Sequence, residues 1–220
     1  RIETAPNGNS FFGYQAGNSS GNALRNSAFG FNALVSTTSG TGNTALGYAA
    51  LQTNGIGDWN TAVGTYSLLN NNGGGSNTGL GYASLQNNSS GSNNVAVGTN
   101  SLRDNTNGYS NTAIGSTAMF YNQSGFGNVA LGLQALLFNV SGNQNTALGT
   151  DALRAQTGSQ GVGVGSGALY FATGNGNTAV GFQAGDFVTT GTNNTFVGNN
   201  ADATVNNLTN ATAIGYNASV

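Results

Sequence analysis

Asn43-Thr44-Ala45-Leu46-Gly47 is the phrase on which the reading of this chain turns. It returns as Asn60-Thr61-Ala62-Val63-Gly64, as Asn111-Thr112-Ala113-Ile114-Gly115 and as Asn145-Thr146-Ala147-Leu148-Gly149. Its glycine falls at Gly13, Gly30, Gly47, Gly64, Gly81, Gly98, Gly115, Gly132, Gly149, Gly165, Gly181, Gly198 and Gly215. The steps are 17 residues eight times, then 16, 16, 17 and 17, so the chain holds thirteen copies of one supersecondary unit.

Each unit reads outward from its glycine. Four residues before it stands Asn, except at Gly161 and Ala211; three before stands Thr, Ser or Val. Two before is Ala or Gly, except Phe11 and Phe196, and one before is a large apolar residue in every copy. Three after is Ala or Ser, and four after is usually Leu. Thr-Ala-Val alternates with the period of a strand, and Gly and Asn interrupt any helical run. The unit therefore predicts one strand ending at the glycine, a sharp turn there, a second short strand at the Ala-Leu pair, and a Gly/Asn-rich return loop. The glycine is expected where φ is positive or where two backbones approach closely.

A fixed period with short strands predicts an all-β fold, a parallel β-solenoid of thirteen coils stacked at roughly 4.8 Å, a rod of roughly 60 Å. Residues 1–8 match no repeat and read as an incoming linker; 9–220 read as the repeat domain, a piece of something longer. The repeated Asn predicts a ladder of amide bonded to amide. Two or three large apolar side chains per coil are too few to order seventeen residues, so further burial is expected from an oligomer. Alternation separates the alanine from its large neighbours. The expectation is that the large residues fill the roll and the alanines lie at a subunit contact.

Composition narrows the function. Four arginines, no lysine and a net charge of −2 give no footprint for nucleic acid. No stretch reaches the roughly 18 apolar residues of a membrane span, so no membrane insertion by this segment is expected. Without His or Cys, Ser–His and Cys–His catalysis and His- or Cys-ligated zinc have no material, so neither enzyme activity nor a cofactor is expected. Asp186 and Asp202, five and four residues after the glycine in consecutive coils, are a weak candidate pair for a cation; the plain alternative is two solvated acids. The Thr column from Thr44 to Thr212 raises an ice-binding reading. Its exchange with Val95, Val129 and Val162 reads instead as interior packing.

Aromatics are the more useful signal. Tyr14, Phe31, Tyr48, Tyr82, Phe182 and Tyr216 directly follow the glycine, a column that reads as packing. Six residues after the glycine, Tyr121, Phe138, Phe171 and Phe187 replace the polar residues of earlier coils. Trp59, Tyr109 and Phe126 stand in return loops. Aromatic rings beside Asn form a platform for a sugar, the ring stacking while amides bond hydroxyls. Trp59, Tyr109, Tyr121 and Phe126 are the candidate ligand-binding residues, and loop anchoring or subunit contact is the competing role.

At Asn93-Asn94-Val95-Ala96-Val97-Gly98-Thr99-Asn100-Ser101 the chain resembles the head repeat of YadA-like trimeric autotransporter adhesins, Asn-Ser-Val-Ala-Ile-Gly-x-x-Ser. The longer phrase from Asn43 to Leu51 resembles repeat arrays of phage-type and bacterial tail-fibre proteins. The resemblance covers residues 9–219. It implies a left-handed β-roll, a homotrimer, and an extracellular place on a cell surface or virion fibre, with a host or prey surface glycan or protein as partner. The usual head repeat is shorter, so longer outer loops are expected here, and the neck and stalk that follow such heads do not occur in this stretch. A pure spacer with recognition elsewhere is the alternative. A left-handed β-helix acyltransferase would have six-residue sub-repeats and a catalytic histidine, which this sequence does not have.

Overall fold

The computed structural model describes the backbone of residues 2–4 and the whole of residues 7–18 and 21–220. Arg1, Ala5, Pro6, Ser19 and Ser20, part of the predicted linker among them, lie outside the described residues. Among the described residues the chain is all-β: a solenoid with thirteen parallel strands and about twelve turns, and no helix. It divides into two units, residues 1–110 and 111–220.

The first unit carries β1 (Ile2–Thr4), β2 (Ser10–Phe12), β3 (Ser27–Phe29), β4 (Thr44–Leu46), β5 (Thr61–Val63), β6 (Thr78–Leu80) and β7 (Val95–Val97). β1 lies within the predicted linker stretch and pairs antiparallel with β2, Ile2 opposite Phe12. From β2 onward every pairing is parallel and without slip: Ala28 opposite Ala45, Ala45 opposite Ala62, Leu80 opposite Val97. The second unit carries β8 (Thr112–Ile114), β9 (Val129–Leu131), β10 (Thr146–Leu148), β11 (Val162–Val164), β12 (Thr178–Val180), β13 (Thr195–Val197) and β14 (Thr212–Ile214). Its register is the same, Ala113 opposite Ala130 and Ala130 opposite Ala147. Register follows the repeat because a one-residue slip would exchange the two faces of every strand.

The faces are the reverse of the expectation. The alanines two before the glycine (Ala45, Ala62, Ala113, Ala130) are fully buried. The large residues one before it point outward: Leu46 is 50 % exposed and Leu131 49 %. The Thr/Val column shares that outer face, half-buried at Thr61 and Thr146 and exposed at Thr44 and Val129, so its reading as interior packing also fails. The reason is width. The interior is filled from the opposite side by the leucines four after the glycine, Leu51, Leu68, Leu136 and Leu153 among them, each with essentially no exposure. At Gly163, which takes an alanine's place, a Cβ would already stand 3.1 Å from Leu153 Cγ. Nothing larger than alanine fits on the strand wherever a leucine faces it.

The two exceptions follow the same rule. Phe11 and Phe196 are buried on the strand face, and in both cases glycine stands where the leucine would be. A Cβ at Gly185 would meet Phe196 Cδ2 at 2.7 Å, and one at Gly17 would run into the Phe11 ring. Core volume is conserved by exchanging the large residue from one wall to the other.

The predicted second strand does not form. Residues two and four after the glycine are left-handed, Ala49 at φ 52° and Leu51 at φ 48°, Gln134 at 57° and Leu136 at 52°. This chain of turns still bonds coil to coil: Leu51 N–H donates to Ser67 O at 3.0 Å. A leucine held there costs about 1 kcal/mol of backbone strain, offset by its complete burial. The repeat glycines have φ of 126–143°, and a Cβ at Gly81 would stand 2.7 Å from Gly98 O. Both expected reasons for glycine therefore hold at once.

The Asn ladder forms. Asn43 Oδ1 accepts from Asn60 N–H at 2.9 Å and from Asn60 Nδ2 at 3.1 Å, while Asn43 Nδ2 donates to Gly57 O at 2.8 Å. A second ladder, which the repeat reading missed, runs seven residues after the glycine. Asn71 donates to Asn54, Asn88 to Asn71 and Asn105 to Asn88, at 2.7, 2.6 and 2.6 Å. Buried amides saturated in this way fix the register of neighbouring coils.

Candidate functional site

The coil leaves three kinds of side chain outside: the outer strand face, the turns just after the glycine, and the return loop. Trp59 and Tyr109 lie on return loops of the first unit, both exposed. The Trp59 ring lies against Gly42, where a Cβ would collide with it, so loop anchoring is part of its role. Phe126, in a return loop of the second unit, is half-buried; its N–H donates to Asn143 Oδ1 at 3.0 Å and its carbonyl accepts from Gln144 N–H. Of the four candidates, Tyr121 borders the larger of two cavities in the second unit.

That cavity, about 320 Å³, lies in the second unit between Thr117, Phe120, Tyr121, Gln134, Leu137, Phe138 and Arg154. Tyr121 and Phe138 stack across coils at 5.4 Å and 6°. Arg154 continues the row, its guanidinium carbon 5.0 Å from the Phe138 ring centre and 5.3 Å from that of Tyr170. Arg154 Nε donates to Gln134 Oε1 at 3.2 Å and stands 3.3 Å from Asp151 Oδ1. Tyr170 meets Phe171 edge to face at 4.5 Å, and a second cavity of about 230 Å³ opens beside them, bordered by Gly167, Gln183 and Asp186.

Asp186 and Asp202 come together as their stacking suggested. Burial, and a hydrogen bond that the protonated carboxyl donates to Asp202, push Asp186 up to about 6. The Asp202 oxygens already accept from Phe187 N–H at 3.0 Å and Ala203 N–H at 2.8 Å. Among the described residues no group of three or more His, Cys, Asp or Glu stands together.

The residues that sequence reading missed are Phe120, Tyr170, Gln134, Gln183 and Arg154. Their signal was present: all stand two or five residues after a glycine, but in neighbouring coils. A cavity arises only when those two columns are read together.

The fold and this corner define a class: a repetitive parallel β-solenoid with an apolar outer strand face and, in its second unit, an aromatic turn edge. Searches against protein-family models and against curated proteins find no match for the chain. No helix among the described residues is long and apolar enough to cross a membrane.

Proposed function

We propose that this chain is the repetitive head or shaft of a homotrimeric surface adhesin or tail-fibre-like protein, attaching to another cell surface or a polysaccharide. The observation that carries the reading is the outer strand face. Phe12, Phe29, Leu46 and Leu80 in the first unit, and Leu131, Val180 and Ile214 in the second, leave a column of large apolar side chains in water. Columns of that length call for a cover, and a repeating sequence is best covered by copies of itself. This reverses the predicted contact, large residues now at the subunit interface and alanines inside. The left-handed roll and three-fold association come from the adhesin resemblance, and the extracellular place with them. The absence of any His or Cys leaves little chemistry for an enzyme.

A spacer role is favoured for the first unit by its turn edge, where Asn70 donates to Asn87 and Asn87 to Asp104, a polar ladder satisfied within itself. An ice-binding face regains its premise, since the Thr column is outside; the bulky residues beside it make that face uneven. Light scattering tests the main reading, with a mass near three times 21.9 kDa expected. A monodisperse monomer ends it, and thermal hysteresis from that monomer would replace it with the ice-binding reading.

A further inference from the structure

Two aromatic pairs in the second unit are built to one plan. Phe120 and Tyr121 stand five and six residues after Gly115, and Tyr170 and Phe171 stand five and six after Gly165. Each pair meets edge to face, at 4.6 and 4.5 Å. Each borders a cavity that also presents the glutamine two residues after the next repeat glycine, Gln134 in one and Gln183 in the other. No residue of the outer strand face lines either cavity, so copies covering that face leave this edge open.

We infer that this edge is a binding strip for a neutral, hexose-based polysaccharide, with the two cavities as sugar subsites. The ring pairs supply apolar faces for the C–H side of a sugar, and Gln134, Gln183 and Asp186 supply hydroxyl partners. Volumes of about 320 and 230 Å³ lie at the small end for ligand cavities, the scale of a sugar ring. The subsites are three coils apart, roughly 14 Å at the spacing of parallel strands. That is the reach of a short oligosaccharide lying along the stack. Charge selects against an acidic polymer. Arg154 is the unit's only cation and already faces the Asp151 carboxylate, while Asp186 stands at the second cavity.

The inference deepens the attachment reading and rests on it, so the test separates the two. The purified chain is run in native gels containing dextran, mannan, galactan or, as the acidic probe, alginate, with its mass checked by light scattering. Retardation by at least one neutral polymer is expected. Tyr121→Ala and Phe171→Ala should each weaken it about three- to ten-fold. Tyr48→Ala, on the first unit, should leave it unchanged. Light scattering on the same variants shows whether assembly survives. An intact oligomer retarded by no neutral polymer, retarded by alginate alone, or equally retarded after both substitutions overturns the subsites and leaves the trimer standing. A monomer that still binds neutral polymer, sensitive to Tyr121→Ala, ends the trimeric reading and keeps the subsites.

Discussion

The two units share a backbone and differ at their edges. In the first, the turn edge is amide and carboxylate: Asn70, Asn87 and Asp104, the last held by Arg103 at 2.9 and 3.1 Å. Its stacked rings sit elsewhere, directly behind the glycine, where Tyr14, Phe31 and Tyr48 stack at 5.1 and 5.6 Å. In the second, the edge is Tyr121, Phe138, Arg154, Tyr170 and Phe171. The interior barely changes: alanine on the strand, leucine or methionine across from it, glycine at the bend. The difference shows where a solenoid is free to vary. Coils contact only their neighbours, so an exterior column is rewritten in one stretch without disturbing the next.

The strongest test of the shared interior is the glycine at the bend. Gly81→Val in the first unit and Gly132→Val in the second should each cost about 4 kcal/mol, from an unfavourable φ and a Cβ driven into the next coil's backbone. Thermal melting checks it; a loss in only one unit would show that the units do not share their bend.

The next test asks whether the core is a fixed volume. Phe196→Ala should destabilise by about 3–4 kcal/mol, as should Gly185→Leu alone through overpacking. The double variant should recover at least half of the loss, because it restores the pattern of the other coils. Denaturant midpoints give the answer, and additive losses would refute the exchange.

A smaller effect separates the ladders. Asn88→Ala breaks bonds to Asn71, Asn105 and Gly91 and should cost about 2–3 kcal/mol. Gln156→Ala, at the same register in the second unit, breaks one bond, to Gly174 O, and removes a buried Oε1 that has no hydrogen-bond partner, so it should cost less, about 1–2 kcal/mol. Equal losses would mean that the second ladder matters equally in both units.

The smallest effect is one of pH. Asp186 is raised from 3.8 to about 6, so between those values the folded chain binds more protons than the unfolded one. The stability that this carboxyl contributes is therefore fully present below pH 4 and is lost as pH rises through about 6. With the group largely solvent-screened, the change is about 1 kcal/mol. Asp186→Asn should flatten this part of the stability profile, read from urea midpoints at pH 4.5 and 7; an unchanged slope would exclude a raised Asp186 carboxyl.

Much of the fold was legible. The thirteen glycines placed every parallel strand, and the repeated Asn announced its ladder. The sign of the faces was not, because alternation tells which residues share a side and leaves open which side is inside. Bulk was a false guide: Leu46 looks like core until Leu51 is seen to fill the space. The missing second strand had a partial signal in the Asn, Gln and Asp that recur two residues after the glycine, types that tolerate left-handed backbone. The leucines that do the same carry no such mark. Phe11 and Phe196 stood out, but their glycine partners, Gly17 and Gly185, stand at another position of the repeat. At the candidate site Tyr121 was visible as a change within one column. Gln134 and Phe120 belong to two others, and only stacking makes them neighbours.

The buried left-handed leucines also bear on how such a chain acquires its shape. A solitary coil holds Leu51 in a disfavoured conformation with nothing above or below to reward it. The opening step is thus uphill, and each later coil adds on a template already set. Nucleation should be slow and propagation quick, in the manner of a zipper. Lengthening the array by duplication would then leave the initial barrier almost untouched while deepening the folded basin.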